Sequence, residues 1–188
     1  MHQDIIILLD TSESMNFQFE GTESAESKIA IIKRGLKEYF ARPEGVDPED
    51  YIGMRIFRTL GFKAKTQILT VFPLTHPQQQ FDIFEIDQID SIGDSPIGDA
   101  LKEAGDSLPS VEGRVGRIKL ISDGNWNFGI DPLKVLDMIK KKKIKVDVLQ
   151  VGKRANKKLL QILSSETGGG HNEVFSTNDV VSGLRTNL

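Results

Sequence analysis

The sequence predicts a doubly wound α/β fold: a six-stranded, mostly parallel sheet with one antiparallel edge strand and helices on both faces. Three observations carry this. Ile5–Leu9 is an unbroken apolar run, as expected of a strand buried on both faces in the middle of a parallel sheet. Strand and helix patterns then alternate along the rest of the chain. Within that alternation, Tyr51–Arg58 and Thr66–Phe72 both read as strands separated by only about seven residues, too few for a parallel crossover, so this pair is expected to be antiparallel.

Taken in order, the first strand runs straight into Asp10, Ser12 and Ser14. Residues two apart in extended chain point the same way, so one carboxylate and two hydroxyls are expected to converge just past the strand's end. A polar, acidic loop with Glu20, Glu23 and Glu26 follows, and Ser27 is placed to cap the next helix. That helix covers Lys28 to about Arg42, with Ile29, Ile32, Leu36, Tyr39 and Phe40 at helical spacing. A loop over Pro43–Asp50 leads to the strand pair, and a short helix is expected around Phe81, Phe84 and Ile86. The turn IGDSPIGDAL enters a helix over about Pro96–Leu108, in which Ser95-Pro96 reads as N-cap and first helical residue. Arg117–Ser122 is a buried strand ending at Asp123, and a helix covers Asp131–Lys142. Lys145–Val151 is a strand, Asn156–Glu166 a helix stopped by Gly168–Gly170, Glu173–Ser176 a last strand, and Asp179–Leu184 a terminal helix.

The chain, 1–188, is long enough for one domain with a real core. Its net charge of −3 is too small to argue for nucleic acid or an anionic membrane as the main partner. With no cysteine, disulfides and thiolate metal sites are excluded, and a reducing, cytoplasmic setting fits. MHQD leads directly into the first strand without a signal peptide, and no apolar run is long enough to span a bilayer.

In such a sheet, ligands collect at the C-terminal ends of the strands where the winding reverses. Three loops there carry oxygen ligands: Asp10/Ser12/Ser14, Ser95 and Asp123. Hydroxyl and carboxylate oxygens suit a hard cation such as Mg²⁺ or Mn²⁺. Each loop alone has a plainer explanation in a turn or a helix cap; the three in this order on this fold do not.

With DTSESM, GDSPIGDAL and LISDG in view, the chain resembles the von Willebrand factor A domains, whose fold is Rossmann-like, over nearly its whole length. The resemblance implies a metal-ion-dependent adhesion site. Ser12, Ser14 and Ser95 would then be direct ligands, while Asp10 and Asp123 act partly through water and a partner's carboxylate completes the shell. Ser95 stands where the family usually has threonine; it keeps the hydroxyl and loses the methyl that restricts its rotamer. KKKIKVDVLQVG followed by SSETGGG is similar to the von Willebrand-type subunits of the proteasome cap and of TFIIH, docking modules inside large intracellular assemblies.

The resulting expectation is a non-enzymatic interaction module, in which removing Asp10 abolishes metal binding without unfolding the domain. A metal-independent docking domain with a vestigial site is the first alternative. An aspartate-dependent phosphohydrolase is the second, weakened because Ser12 stands where the haloacid dehalogenase type needs a second aspartate. Trp126 could anchor a partner or pack on the sheet's end. Asp99 could orient a loop or simply favour its helix N-terminus. Lys140–Lys143 reads as a solvated helix end, and His2, His76 and His171 as bystanders.

Overall fold

A computed structural model describes residues 2–19, 26–41, 47–61, 63–153 and 156–186. Its sheet contains β1 (His2–Asp10), β2 (Tyr51–Leu60), β3 (Lys65–Thr75), β4 (Arg114–Ser122), β5 (Lys145–Val151) and β6 (His171–Val174) in the spatial order β3-β2-β1-β4-β5-β6. Every neighbouring pair is parallel except β2–β3, which is antiparallel at the edge as the short connection requires. Near Phe72 and Thr75 the β2–β3 register shifts; Pro73, without an N–H, sits in this irregular stretch. Gly53 opposes it, since a Cβ there would stand 3.0 Å from Leu74 Cα.

The helices are α1 (Lys28–Ala41), α2 (Phe84–Asp87), α3 (Ile97–Ser107), α4 (Pro132–Lys141), α5 (Lys157–Thr167) and α6 (Thr177–Arg185). β1 alternates between two cores: Ile5, Ile7 and Leu9 pack under α1 and α6, while Ile6 and Leu8 pack under α3, α4 and α5. Asp131 and Asn156 cap α4 and α5 through their side chains, and Gly168 ends α5 in the left-handed region at φ 70°. The Ser27 hydroxyl accepts the Ala30 amide at 3.4 Å.

Two expectations are corrected. The last strand lies at His171–Val174 rather than Glu173–Ser176, because the Ser176 side chain accepts the Asp179 amide and starts α6 early. The cap of α3 is Pro96, which makes no side-chain cap bond, so Ser95 is not the N-cap. Glu20, Glu23, and the loop residues 42–46 lie outside the described residues.

Lys119 on β4 is fully buried and donates to the carbonyls of Thr186 (2.9 Å) and Gly183 (3.3 Å), satisfying the end of α6. Burial pulls its ammonium down to about 8, against the Asp147 carboxylate and with help from Arg117. The folded chain therefore releases this proton below its ordinary value of 10.5, so stability rises as pH climbs from about 8 toward 10. The gain is bounded at about 3 kcal/mol. Buried Tyr39, whose phenol burial pushes up, acts oppositely above its ordinary value of 10. Denaturant unfolding between pH 7 and 10 should show the rise in wild type and a flat profile in Lys119→Met; equal slopes would refute the assignment.

Candidate metal centre

The winding reverses between β1 and β4, neighbours in the sheet whose connections leave in opposite directions. Asp10 ends β1, Ser122 ends β4 and Asp123 follows it, so the carboxylates meet at the reversal. Two bonds from Thr11, its amide at 3.0 Å and its hydroxyl at 3.1 Å, fasten the exit of β1 to the Phe57 carbonyl. The Glu13 amide donates to the Gly93 carbonyl (2.9 Å) and the Ile92 amide to that of Thr11 (2.8 Å), binding the first loop to the one that carries Ser95.

The chain does not stay extended after Asp10. It turns into a 3-10 turn over Glu13–Asn16, with Met15 buried as its plug and Ser12 making no side-chain cap bond. The turn, rather than strand alternation, brings the Ser12 and Ser14 hydroxyl oxygens to 3.2 Å.

Asp10 is completely buried. Its Oδ1 accepts the Ser12 amide at 2.9 Å, and its Oδ2 accepts the hydroxyls of Ser95 and Ser122, each at 2.7 Å. Burial raises the Asp10 carboxyl above the ordinary carboxylate range, the negative charge of Asp123 adds to this, and bonds from Ser12 and Ser122 oppose it. A serine hydroxyl has one proton and two lone pairs. Because Ser95 spends its proton on Asp10, its lone pairs remain available to a cation.

Ser95 is itself held from behind. Its amide donates to Asn127 Oδ1 at 2.8 Å, and Asn127 Nδ2 donates to Asp94 Oδ1 at 2.8 Å. The Asp94 amide in turn donates to the Thr59 hydroxyl at 2.8 Å. Gly93, at φ 71°, permits this approach, since a Cβ would come 2.3 Å from the Thr59 carbonyl oxygen. Asp99 does orient a loop: its Oδ2 accepts the Ile130 amide at 2.9 Å, where Gly129 leaves room.

Asp123 is fully buried and both its oxygens are engaged. Oδ1 accepts the Asn125 amide at 3.2 Å, and Oδ2 accepts the Lys28 ammonium at 3.0 Å. Lys28, Ser122, Asn127 and Asp94 were not expected at the site. Lys28 had one signal: it lies on the same helical stripe as Ile32, Leu36 and Tyr39.

The donor set fits a hard cation. All donors are oxygen, and in an octahedral shell with bonds of ~2.1 Å adjacent ligands stand about 3.0 Å apart, close to the Ser12–Ser14 separation of 3.2 Å. A second group, His2, Asp47 and Asp50, offers ligand atoms within 4.8 Å of one another at the opposite end of β1. His2 is thus not isolated, standing 3.8 Å from Asp47, and one Asp50 oxygen accepts the Gln3 amide at 2.6 Å. Trp126 is 37% exposed beside Asp123, its Nε1 donating to the Phe128 carbonyl at 2.7 Å. Lys140 pairs with Glu166 and Lys142 with Asp106 on the protein's own surface.

A family model described as the von Willebrand factor type A domain matches residues 4–186. Among solved structures, an aerotolerance-related membrane protein from Bacteroides fragilis is similar with a TM-score of 0.70 and 20% identity, over 100% of this chain and 98% of that one. Proximal thread matrix protein 1 from the mussel byssus, with a zinc-occupied MIDAS motif, gives 0.70 and 20% over 97% of this chain and 45% of that one. The SpRpn10 VWA domain gives 0.66 and 16%, over 96% and 93%. No curated protein matches at a significant level. At these identities the structural likeness speaks for the fold alone. Among the described residues, no helix is long and apolar enough to cross a membrane.

Proposed function

Because the chain belongs to the von Willebrand factor type A family, whose domains are protein-interaction modules, we propose that it grips a protein partner through a divalent cation, Mg²⁺ or Mn²⁺, held at the winding reversal. Ser12, Ser14 and Ser95 supply the hydroxyl ligands. Asp10 and Asp123 supply compensating charge and hold the hydroxyls in place. When bound, the ion offers a Lewis-acidic position that an aspartate or glutamate of the partner can fill. The observation that carries this reading is the bond from Ser95 to Asp10, which spans 85 residues and leaves the Ser95 lone pairs free. Trp126 flanks the position as an aromatic contact for the partner. The likeness of KKKIKVDVLQVG to docking subunits supports a cytoplasmic assembly as the setting.

The residues do not suggest catalysis. The Ser12 hydroxyl stands where an acid–base carboxylate is needed and is shared with Ser14. Metal-independent docking has one observation in its favour, the Lys28–Asp123 pair, which partly neutralises the site by itself. It predicts partner capture that is unchanged by chelator.

The test is calorimetric titration of the chelator-stripped chain with Mg²⁺ and Mn²⁺, with and without acetate as a stand-in for the partner's carboxylate. Wild type should bind saturably, and Ser12→Ala/Ser14→Ala should lose at least roughly tenfold. Absence of binding by wild type under both conditions would overturn the proposal.

A further inference from the structure

Lys28 occupies a costly place. It is the first residue of α1, where the helix dipole already presents positive charge, and its side chain is largely withdrawn from water. A lysine that only began a helix would reach solvent. This one instead folds along Gly152, whose missing side chain makes room: a Cβ there would stand 3.3 Å from Lys28 Cε. Gly152, at φ 82°, follows the last residue of β5, so the pocket that guides the ammonium toward Asp123 is built by a strand outside the three ligand loops.

Lys28 Nζ and Asp123 Oδ2 are 3.0 Å apart across 95 residues of chain. The other Asp123 oxygen is held by the Asn125 amide. Each Asp123 oxygen thus already accepts one hydrogen bond, one of them from a cation, whereas Ser12, Ser14 and Ser95 have no cationic partner. Of the two buried carboxylates, Asp123 is paired with the ammonium and Asp10 is bonded by serines, so the site holds less negative charge than two unpaired carboxylates would give it.

We propose that Lys28 is a tethered cation that competes with the divalent ion for Asp123, so that it stabilises the metal-free site and lowers its affinity for metal. The inference rests on the metal-site reading above. Ion binding then requires the ammonium either to release Asp123 or to remain as a repelling charge beside the ion; both weaken binding. Occupancy becomes dependent on a further contribution, such as the partner's carboxylate, rather than being complete with the ion alone.

The test compares wild type, Lys28→Met and Lys28→Arg by calorimetric titration with Mg²⁺ and Mn²⁺, and by thermal unfolding in chelator and in excess metal. Lys28→Met should bind at least about tenfold more tightly than wild type, while Lys28→Arg, which keeps the charge, should stay within about threefold. Lys28→Met should also melt lower than wild type in chelator and recover when Mn²⁺ is added. A purely structural role would give a loss in chelator that metal does not restore, and would overturn the inference. Equal affinity in all three chains would overturn it too and leave the metal site standing. Absence of binding in all three would remove both. If Lys28→Met does not fold, the Lys28 side-chain NMR resonances of wild type decide: a shift on saturation with Mg²⁺ supports competition at Asp123, by release or by repulsion, and unchanged resonances refute it.

Discussion

Asp10→Asn is expected to lower Mg²⁺ and Mn²⁺ affinity by roughly 100-fold while the chain stays folded. Asparagine keeps the volume of aspartate and its Oδ1 can still accept the Ser12 amide. At the other position it places an NH₂ where Oδ2 now receives protons from Ser95 and Ser122. Ser95 must then turn, accept from that NH₂ and direct its own proton toward the ion's position. Charge and lone-pair direction are lost together. The fold tolerates the change because a buried carboxylate, already disfavoured as an anion, is exchanged for a neutral group. Asp10→Ala is the harsher variant. It leaves the Ser12 amide and the hydroxyl protons of Ser95 and Ser122 without their acceptor, at about 1–3 kcal/mol each, so thermal unfolding of Asp10→Ala tests the expectation that the fold survives. Calorimetry of Asp10→Asn, with thermal unfolding in chelator as the folding control, decides the matter. Affinity within threefold of wild type would remove Asp10 from the site.

Gly98→Ala is expected to destabilise the chain by about 3 kcal/mol, a fall in Tm of roughly 6–12 °C for a domain of this size. A Cβ at Gly98 would lie 2.0 Å from the Ile130 carbonyl oxygen and 2.7 Å from its carbon. Both obstacles are backbone, so no rotamer relieves them. The gain in helix propensity of about 1 kcal/mol is too small to compensate. Relief requires α3 to part from the loop after β4, breaking the bond between Asp99 and the Ile130 amide. Since Asn127 of that loop holds the Ser95 amide, metal affinity should fall as well. An unchanged Tm in calorimetry would show that the two segments move apart freely.

What the sequence made legible follows from where each signal was stored. β1 was plain because a strand buried on both faces is written as a continuous apolar run, whereas β5 showed through Val146, Val148, Leu149 and Val151 although it also buries Asp147 and Gln150. β3 proved longer than Thr66–Phe72, extending over Lys65–Thr75, because much of it faces solvent and carries little patterning. β6 was misplaced because HNEV is short and polar, and the serine that bounds it belongs to the next helix. Asp10, Ser12, Ser14, Ser95 and Asp123 could be named because their local motifs and order along the chain are distinctive. Their supporting residues could not be. The bonds from Ser122 to Asp10 and from Lys28 to Asp123 span 112 and 95 residues, and no local pattern encodes such pairings. Even for Ser95, local grammar misled: Ser-Pro spells a helix cap, while the hydroxyl is drawn instead to a buried carboxylate.

The irregular edge of the sheet has a consequence for how copies of this chain coexist at high concentration. An open sheet ends in rows of unpaired amides and carbonyls, which can recruit another chain and seed polymerisation. Here one margin is β6, only four residues long. The other, β3, is long enough to act as a template but carries Pro73, which lacks the amide an incoming strand would need, beside a break in register. Lys65 begins the strand and adds charge at its end. Neither margin offers a long uninterrupted ladder, so copies of the chain can be concentrated with their backbone edges inert.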